Sequence, residues 1–266
     1  MRIDLASRTA LVTGSTSGMG YAIAKGLAAA GARVVLHGRS DDTVAAAHDR
    51  LQGELPGSDV TGHSARLDDP ESVADLIDAV PDVDILVSNT GPTHSTPVFG
   101  MDLREWRGWL DTYLTAGMLL GRHHLKRMID RGWGRILFGA GITCSYSPSD
   151  PALDTMTAWL TCKAGMLGLS RSMAEIATRS GVTVNAFIPG PAMTEERYLA
   201  AGASPEKTFA QFERDYFAHA GSSSLLHRFI NPDEIASVVV FLSSDHASAL
   251  TGAALRIDGG IIRPIL

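Results

Sequence analysis

Lys163 lies four residues after Trp159 in the segment TMTAWLTCKAG, residues 155–165. Residues at i and i+4 share one face of a helix, so an indole and an ammonium would project the same way. A proton-transferring site wants a hydroxyl, carboxylate or imidazole at such a position. An indole N–H is a donor only and does not titrate usefully. A second stretch with chemistry in it is TGSTSGMG, which places Gly14, Gly18 and Gly20 close together. Glycines there permit a tight turn and close backbone approach to a pyrophosphate, and a following helix N-terminus adds unpaired N–H groups. The nine histidines and two cysteines show no HExxH or CxxC spacing, so no metal site is expected.

These groups need a scaffold, and the hydrophobic patterning supplies one. TALVT reads as a buried strand ending at Thr13, and GYAIAKGLAAAG as a packed helix stopping at Gly31. ARVVLHG is a second strand, followed by the helical DDTVAAAHDRLQG. Strands follow near 60–65 and at VDILVSN, with a helix from Pro70 to Ala79 between them. One long helix is expected through EWRGWLDTYLTAGMLLGRHHLKRMIDR, then the strand GRILFGA, the helix carrying Trp159 and the strand VTVNAFIP. A polar helical insert around 195–220, a helix from Asp233 to Ser243 and a last strand at AALRID complete the chain. Such alternation builds a doubly wound parallel sheet with helices on both faces, a single-domain α/β Rossmann-type fold. The glycine loop thus falls between the first strand and the first helix, the context a dinucleotide site requires. Residues 193–228 are the least regular and read as a substrate lid.

Bulk properties narrow the partners. The chain has 266 residues, 45% hydrophobic and 20% charged, with a formal net charge of −6. Nothing points to a nucleic-acid partner. No apolar run reaches membrane-spanning length, and no secretory leader is visible. Cys144 and Cys162 are too few for a disulfide framework, so a cytoplasmic location is expected.

With the GxxxGxG spacing of its loop, the sequence resembles the short-chain dehydrogenase/reductase family nearly end to end. SNTG (Ser88 to Gly91) occupies that family's NNAG position. IPGPAMT matches its segment flanking the nicotinamide, and LTGAALRIDGG its C-terminal strand and turn. The resemblance implies that Gly14, Ser15, Thr16, Gly18, Met19, Gly20, Asn89, Gly91, Lys163, Pro189, Gly190 and Thr194 hold a dinucleotide. It also implies a homodimer or homotetramer paired through the long helix and the Lys163 helix. In NAD-using relatives an acidic residue ends the second strand; here Gly38 stands there, followed by Arg39. An arginine forms charge-assisted bonds to a 2′-phosphate that a carboxylate would repel, so NADP(H) is expected. Where relatives place an Asp after the third strand, Arg66 stands, with Asp68 and Asp69 shifted.

The family's Asn–Ser–Tyr–Lys tetrad is degenerate. Trp159 replaces the Tyr, Gly141 the Ser and Tyr113 the Asn, while Lys163 remains. Ser145, Ser147, Tyr146 and Cys144 lie in a loop that could fold back toward the Ser position. Trp159 and Gly141 could be a volume exchange. Asp154 is expected to cap the helix beginning near Thr155. Among the changed positions only Tyr113 titrates, and a phenol near Lys163 could have a lowered pKa. Catalytic expectations therefore fall on Lys163, Tyr113, Trp159 and Gly141. Three functions stay open: a reductase of a small hydrophobic molecule with an activated C=C, C=N or special carbonyl; a non-redox cyclase, isomerase or dehydratase using the same pocket; or a catalytically inactive cofactor-binding protein.

Overall fold

The computed structural model describes residues 2–91, 96–141, 151–200, 207–219 and 223–263. Seven strands form one parallel sheet: β1 (Thr9–Val12), β2 (Arg33–Gly38), β3 (Val60–Ser64), β4 (Ile85–Ser88), β5 (Gly134–Gly139), β6 (Val182–Pro189) and β7 (Ala254–Ile257). Their order is β3-β2-β1-β4-β5-β6-β7. The central strands are buried along their length because helices cover both faces. Each expected strand is present, and the fold is the doubly wound one the alternation implied.

Strand order reverses between β1 and β4, where Leu11 lies opposite Leu86 and Val12 opposite Val87. In open sheets of this kind the crevice beyond the carboxyl ends at such a switch point is where ligands bind. The glycine loop leaves β1 there, and residues 88–91 leave β4. Helices α1 (Gly18–Ala29), α2 (Asp41–Glu54) and α3 (Pro70–Ala79) follow the first three strands. One apolar core packs α1 onto the sheet through Ile23 and Leu27; the opposite face is filled by Val73, Leu76, Leu120 and Met128.

The expected single long helix is interrupted. It runs as α4 (Leu103–Leu110), a π-helical turn over Asp111–Thr115, and α5 (Ala116–Arg131). Thr112 Oγ1 donates to the Gly108 carbonyl at 2.7 Å and Thr115 Oγ1 to Asp111 Oδ1 at 2.9 Å. Hydroxyls that bond back into a helix compete with its ladder, and π-turns concentrate at functional sites. Tyr113 sits at the middle of this one. Periodicity could not show it, since one extra residue in a turn leaves the apolar pattern nearly unchanged.

Helix α6 (Thr157–Ile176) carries Trp159 and Lys163 and follows a 3₁₀ segment, Pro151–Met156. No side chain caps it. Asp154 instead accepts a hydrogen bond from the Val98 N–H at 2.9 Å, tying the loop after β4 to the approach of α6. After β6 come α7 (Glu195–Ala200), α8 (Phe209–Ala218) and α9 (Pro232–Leu242). Thr208 with Gln211, and Asn231 with Glu234, form capping boxes on α8 and α9. Aromatic residues of this insert and of the segment after it pack on one another. Tyr198, Phe212, Tyr216 and Phe229 have ring centroids 4.8–6.5 Å apart in neighbouring pairs, an aromatic cluster that buries the apolar side of these short helices.

Candidate active site

Gly14 and Gly18 have φ of +63° and +55°, a left-handed region that favours glycine. A Cβ on Gly20 would run into the Gly14 carbonyl, so the chain can turn into α1 only with glycine there. The N–H groups of Gly18, Met19 and Gly20 lie in the first turn of α1, where no helical partner exists. They form an anion cradle at the switch point. Thr16 lies with its methyl against Gly38. Ser15 differs from its expected role. It is fully buried; its Oγ donates to the Val12 carbonyl at 2.8 Å and accepts from the His37 N–H at 2.9 Å. Its own N–H goes to the His37 carbonyl at 3.0 Å. With these groups engaged inside the protein, Ser15 shapes the loop from beneath instead of contacting a ligand.

A polar ligand also fits the end of β4. Thr13 Oγ1 accepts the Asn89 N–H at 2.9 Å and the Thr90 N–H at 3.3 Å. Asn89 Oδ1 and Thr90 Oγ1 are buried without a hydrogen-bond partner among the described residues. Buried polar atoms of this kind ordinarily have partners. At the end of β2, Gly38 leaves no room for the carboxylate of an NAD-type site: a Cβ there would stand 2.6 Å from the Thr16 methyl and 3.0 Å from Val44. Arg39 is exposed beyond it. Arg66 projects from the neighbouring strand end and pairs with Asp68 at 2.9 Å, and Asp68 is also drawn toward Arg39. Asp69 caps α3 by accepting the Glu71 N–H. This half of the site therefore presents an anion cradle, orphaned polar atoms and an exposed guanidinium, which suits a dinucleotide with a 2′-phosphate.

On the far side of the crevice, Pro189 ends β6, and the Gly190 N–H donates to the Ile257 carbonyl at 2.9 Å. A side chain on Gly190 would meet the Asp258 backbone at 2.8 Å. Thr194 is half-buried, its carbonyl accepting the Tyr198 N–H at the start of α7.

The four changed or retained tetrad positions do meet. Lys163 is buried, with Nζ donating to the Gly139 carbonyl at 2.5 Å and lying 5.0 Å from the centroid of the Tyr113 ring. Burial lowers its pKa to about 8. A Cβ on Gly141 would lie 3.2 Å from Lys163 Cβ and 3.5 Å from the Trp159 ring. The indole thus lies in van der Waals reach of any side chain at 141. Tyr113 is 3% exposed and stacks on Trp109 with centroids 6.0 Å apart and planes 5° from parallel. Trp159 packs against the same small cluster, so two of the substituted positions lie together. The expected lowering of the phenol pKa is reversed: burial pushes it up. Lys163 faces the ring, where cation–π attraction acts, and stabilises no phenolate there.

Ser145, Ser147, Tyr146 and Cys144 lie outside the described residues. Cys162 is buried, and burial raises its thiol to about 11, away from the reactive thiolate. No cluster of three metal-ligating side chains occurs among the described residues, and no helix there is long and apolar enough to cross a membrane. The sequence reading missed Thr13 and His37, which hold the loops from inside. A histidine in the otherwise apolar run VVLHG was the available signal.

Residues 14–262 match a protein family described as Enoyl-(Acyl carrier protein) reductase. An uncharacterised oxidoreductase of Bacillus subtilis, YvaG, is 37% identical, with both chains covered in full. The 3-oxoacyl-[acyl-carrier-protein] reductase FabG of Aquifex aeolicus is 31% identical over 98% of this chain and 100% of that protein. The crystal structure of L-sorbose reductase from Gluconobacter frateurii, complexed with NADPH and L-sorbose, superposes with a TM-score of 0.86 at 26% identity, each chain covered in full. The chain belongs to the short-chain dehydrogenase/reductase family of oxidoreductases.

Proposed function

We propose that this protein is an NADP(H)-dependent reductase of a small hydrophobic molecule whose acceptor bond is already activated: a C=C conjugated to a carbonyl, a C=N iminium, or a carbonyl carrying its own acid. One observation carries the reading. Within a single crevice the glycine loop, the buried polar atoms of Asn89 and Thr90 and the exposed Arg39 stand on one side, and Lys163, Tyr113, Trp159 and Gly141 on the other.

When bound, NADP(H) supplies a hydride. The protein's work is then binding and orientation. Arg39 would face the 2′-phosphate, the first-turn N–H groups of α1 would take the pyrophosphate, and Asn89, Gly91, Pro189, Gly190 and Thr194 would bound the nicotinamide end. Lys163 would hold the nicotinamide ribose. Trp159 would wall the substrate. Tyr113, with its pKa raised, stays a neutral phenol: it can donate a hydrogen bond, but it does not cycle through phenolate. A conjugated alkene suits this equipment. Its own carbonyl would take up the developing charge and its α-carbon could be protonated by water, so no side-chain acid would be required at the position of Trp159. Loss of one well-placed acid costs an ordinary ketone about a hundred- to ten-thousandfold. The enoyl-reductase description of the matching family supports the C=C member of this set, while FabG and the sorbose reductase are carbonyl enzymes. A homodimer or homotetramer in the cytoplasm is the assembly this reading carries.

The test is NADPH consumption by the purified protein with matched enones, cyclic iminium ions and saturated ketones. Enone or iminium turnover at least about a hundredfold above that of the ketone is expected. Ketone reduction at ordinary rates would overturn the reading. Product formed from any of these compounds with no change in nicotinamide absorbance would indicate the non-redox alternative.

A further inference from the structure

We propose that His37 is a positioning residue for the dinucleotide: as a neutral imidazole accepting a hydrogen bond from Gly14, it fixes the glycine loop and decides which loop N–H groups remain for the pyrophosphate. The histidine is the last residue but one of β2 and is fully buried. Three bonds run from this one residue to two consecutive loop residues. Gly14 N–H donates to His37 Nδ1 at 3.1 Å, Ser15 N–H to the His37 carbonyl at 3.0 Å, and His37 N–H to Ser15 Oγ at 2.9 Å. Any residue could supply the two backbone bonds. Only an acceptor side chain can take the Gly14 N–H.

That bond fixes the tautomer. Nδ1 accepts, so the proton resides on Nε2, which is buried without a hydrogen-bond partner among the described residues. An imidazolium could not accept at Nδ1, and burial holds the ring neutral. The consequence is a division of labour among the loop donors. Gly14 and Ser15 spend their N–H groups on β2, which locks the positive-φ turn at Gly14. The donors at Gly18, Met19 and Gly20 are left pointing outward. Without the acceptor, the Gly14 N–H would have no partner inside the protein, and the loop would have to turn it toward water. That rotation would move the cradle.

The test compares His37→Leu with His37→Asn, whose Oδ1 can stand where Nδ1 stands. NADPH affinity is read by fluorescence titration, with circular dichroism and thermal melts confirming the fold. His37→Leu should weaken binding about tenfold, the equivalent of one lost hydrogen bond, and His37→Asn should recover most of it. Leu binding as tightly as wild type would overturn the proposal, as would Asn falling together with Leu. A second measurement covers the case in which His37→Leu does not fold. In ¹⁵N-labelled wild-type protein at neutral pH, the imidazole resonances lost in His37→Asn should report a neutral ring protonated on Nε2. A ring protonated on Nδ1, or a cationic ring, would overturn it.

Discussion

The Tyr113 ring lies across the α-carbon of Gly91, so close that a methyl group placed there would overlap the phenol carbon and hydroxyl. Gly91 has φ of +151° as well. The turn after β4 and the side chain at the centre of the π-helical turn are therefore fitted to each other. Gly91→Ala should destabilise the protein by about 1–3 kcal/mol, measured by urea unfolding. Added to Tyr113→Ala, the same change should cost distinctly less, because the clash is gone and the two sites couple. Simple additivity would show that the contact does not govern the loop.

Trp159 lies against Gly141, and both positions can be returned to the residue types usual in the family. Gly141→Ser alone puts its Cβ 3.2–3.3 Å from the Lys163 side chain and 3.5 Å from the indole, so it should crowd the site and add no ketone activity. Trp159→Tyr with Gly141→Ser should make room and restore both a hydroxyl acid and a partner for the substrate oxygen. Ketone reduction by the double variant should rise about a hundredfold or more over the parent. A steady-state assay with a simple cyclic ketone decides it.

Arg39→Ala should reduce NADPH affinity by about ten- to a hundredfold with little change for NADH. Fluorescence titration with both cofactors checks this, and an unchanged ratio would remove Arg39 from the 2′-phosphate.

Lys163 is a buried cation that faces a carbonyl and a ring, with no carboxylate partner among the described residues. Its pKa is lowered from 10.5 to about 8, so folding opposes its charge. The penalty is full below pH 8 and fades as pH rises toward 10.5. Lys163→Met should therefore stabilise the protein at pH 7 by about 1–3 kcal/mol. The advantage should shrink through pH 8–10, while NADPH binding weakens. Paired melts across that range test the sign.

Two buried histidines set the acid limit. Burial lowers His37 to about 4 and His124 to about 3, from 6.5. Both fold as neutral rings. Their contribution is intact above pH 6.5 and is lost as pH falls toward 4, at about 1 kcal/mol per pH unit for each. Exposed carboxylates such as Asp82 and Glu234, held at about 2 by Arg127 and Arg228, add their losses only at lower pH. His124→Leu should flatten the fall in urea-melt stability between pH 6.5 and 4. A slope unchanged by that substitution would place the acid sensitivity elsewhere.

Much of this protein was determined by the sequence alone. Strand–helix alternation and buried apolar runs defined the sheet, because a strand covered on both faces must be apolar throughout and a glycine loop between strand and helix has few other uses. The spacing of Trp159 and Lys163 located the altered site, since i and i+4 share a face in any helix. Other features were decided only by tertiary structure. The π-helical turn at Asp111–Thr115 leaves almost no mark on periodicity. Ser15 turned inward because His37, distant in sequence, offers it partners. Asp154 was drawn from capping α6 to the Val98 N–H, and the insert aromatics closed on one another. Most telling is Tyr113. Its nearness to Lys163 followed from the sequence, but a pKa depends on which part of a ring meets the ammonium and how much water remains. Packing against Gly91 and Trp109 excluded the water and presented the ring face, and so pushed the phenol up where proximity alone suggested down.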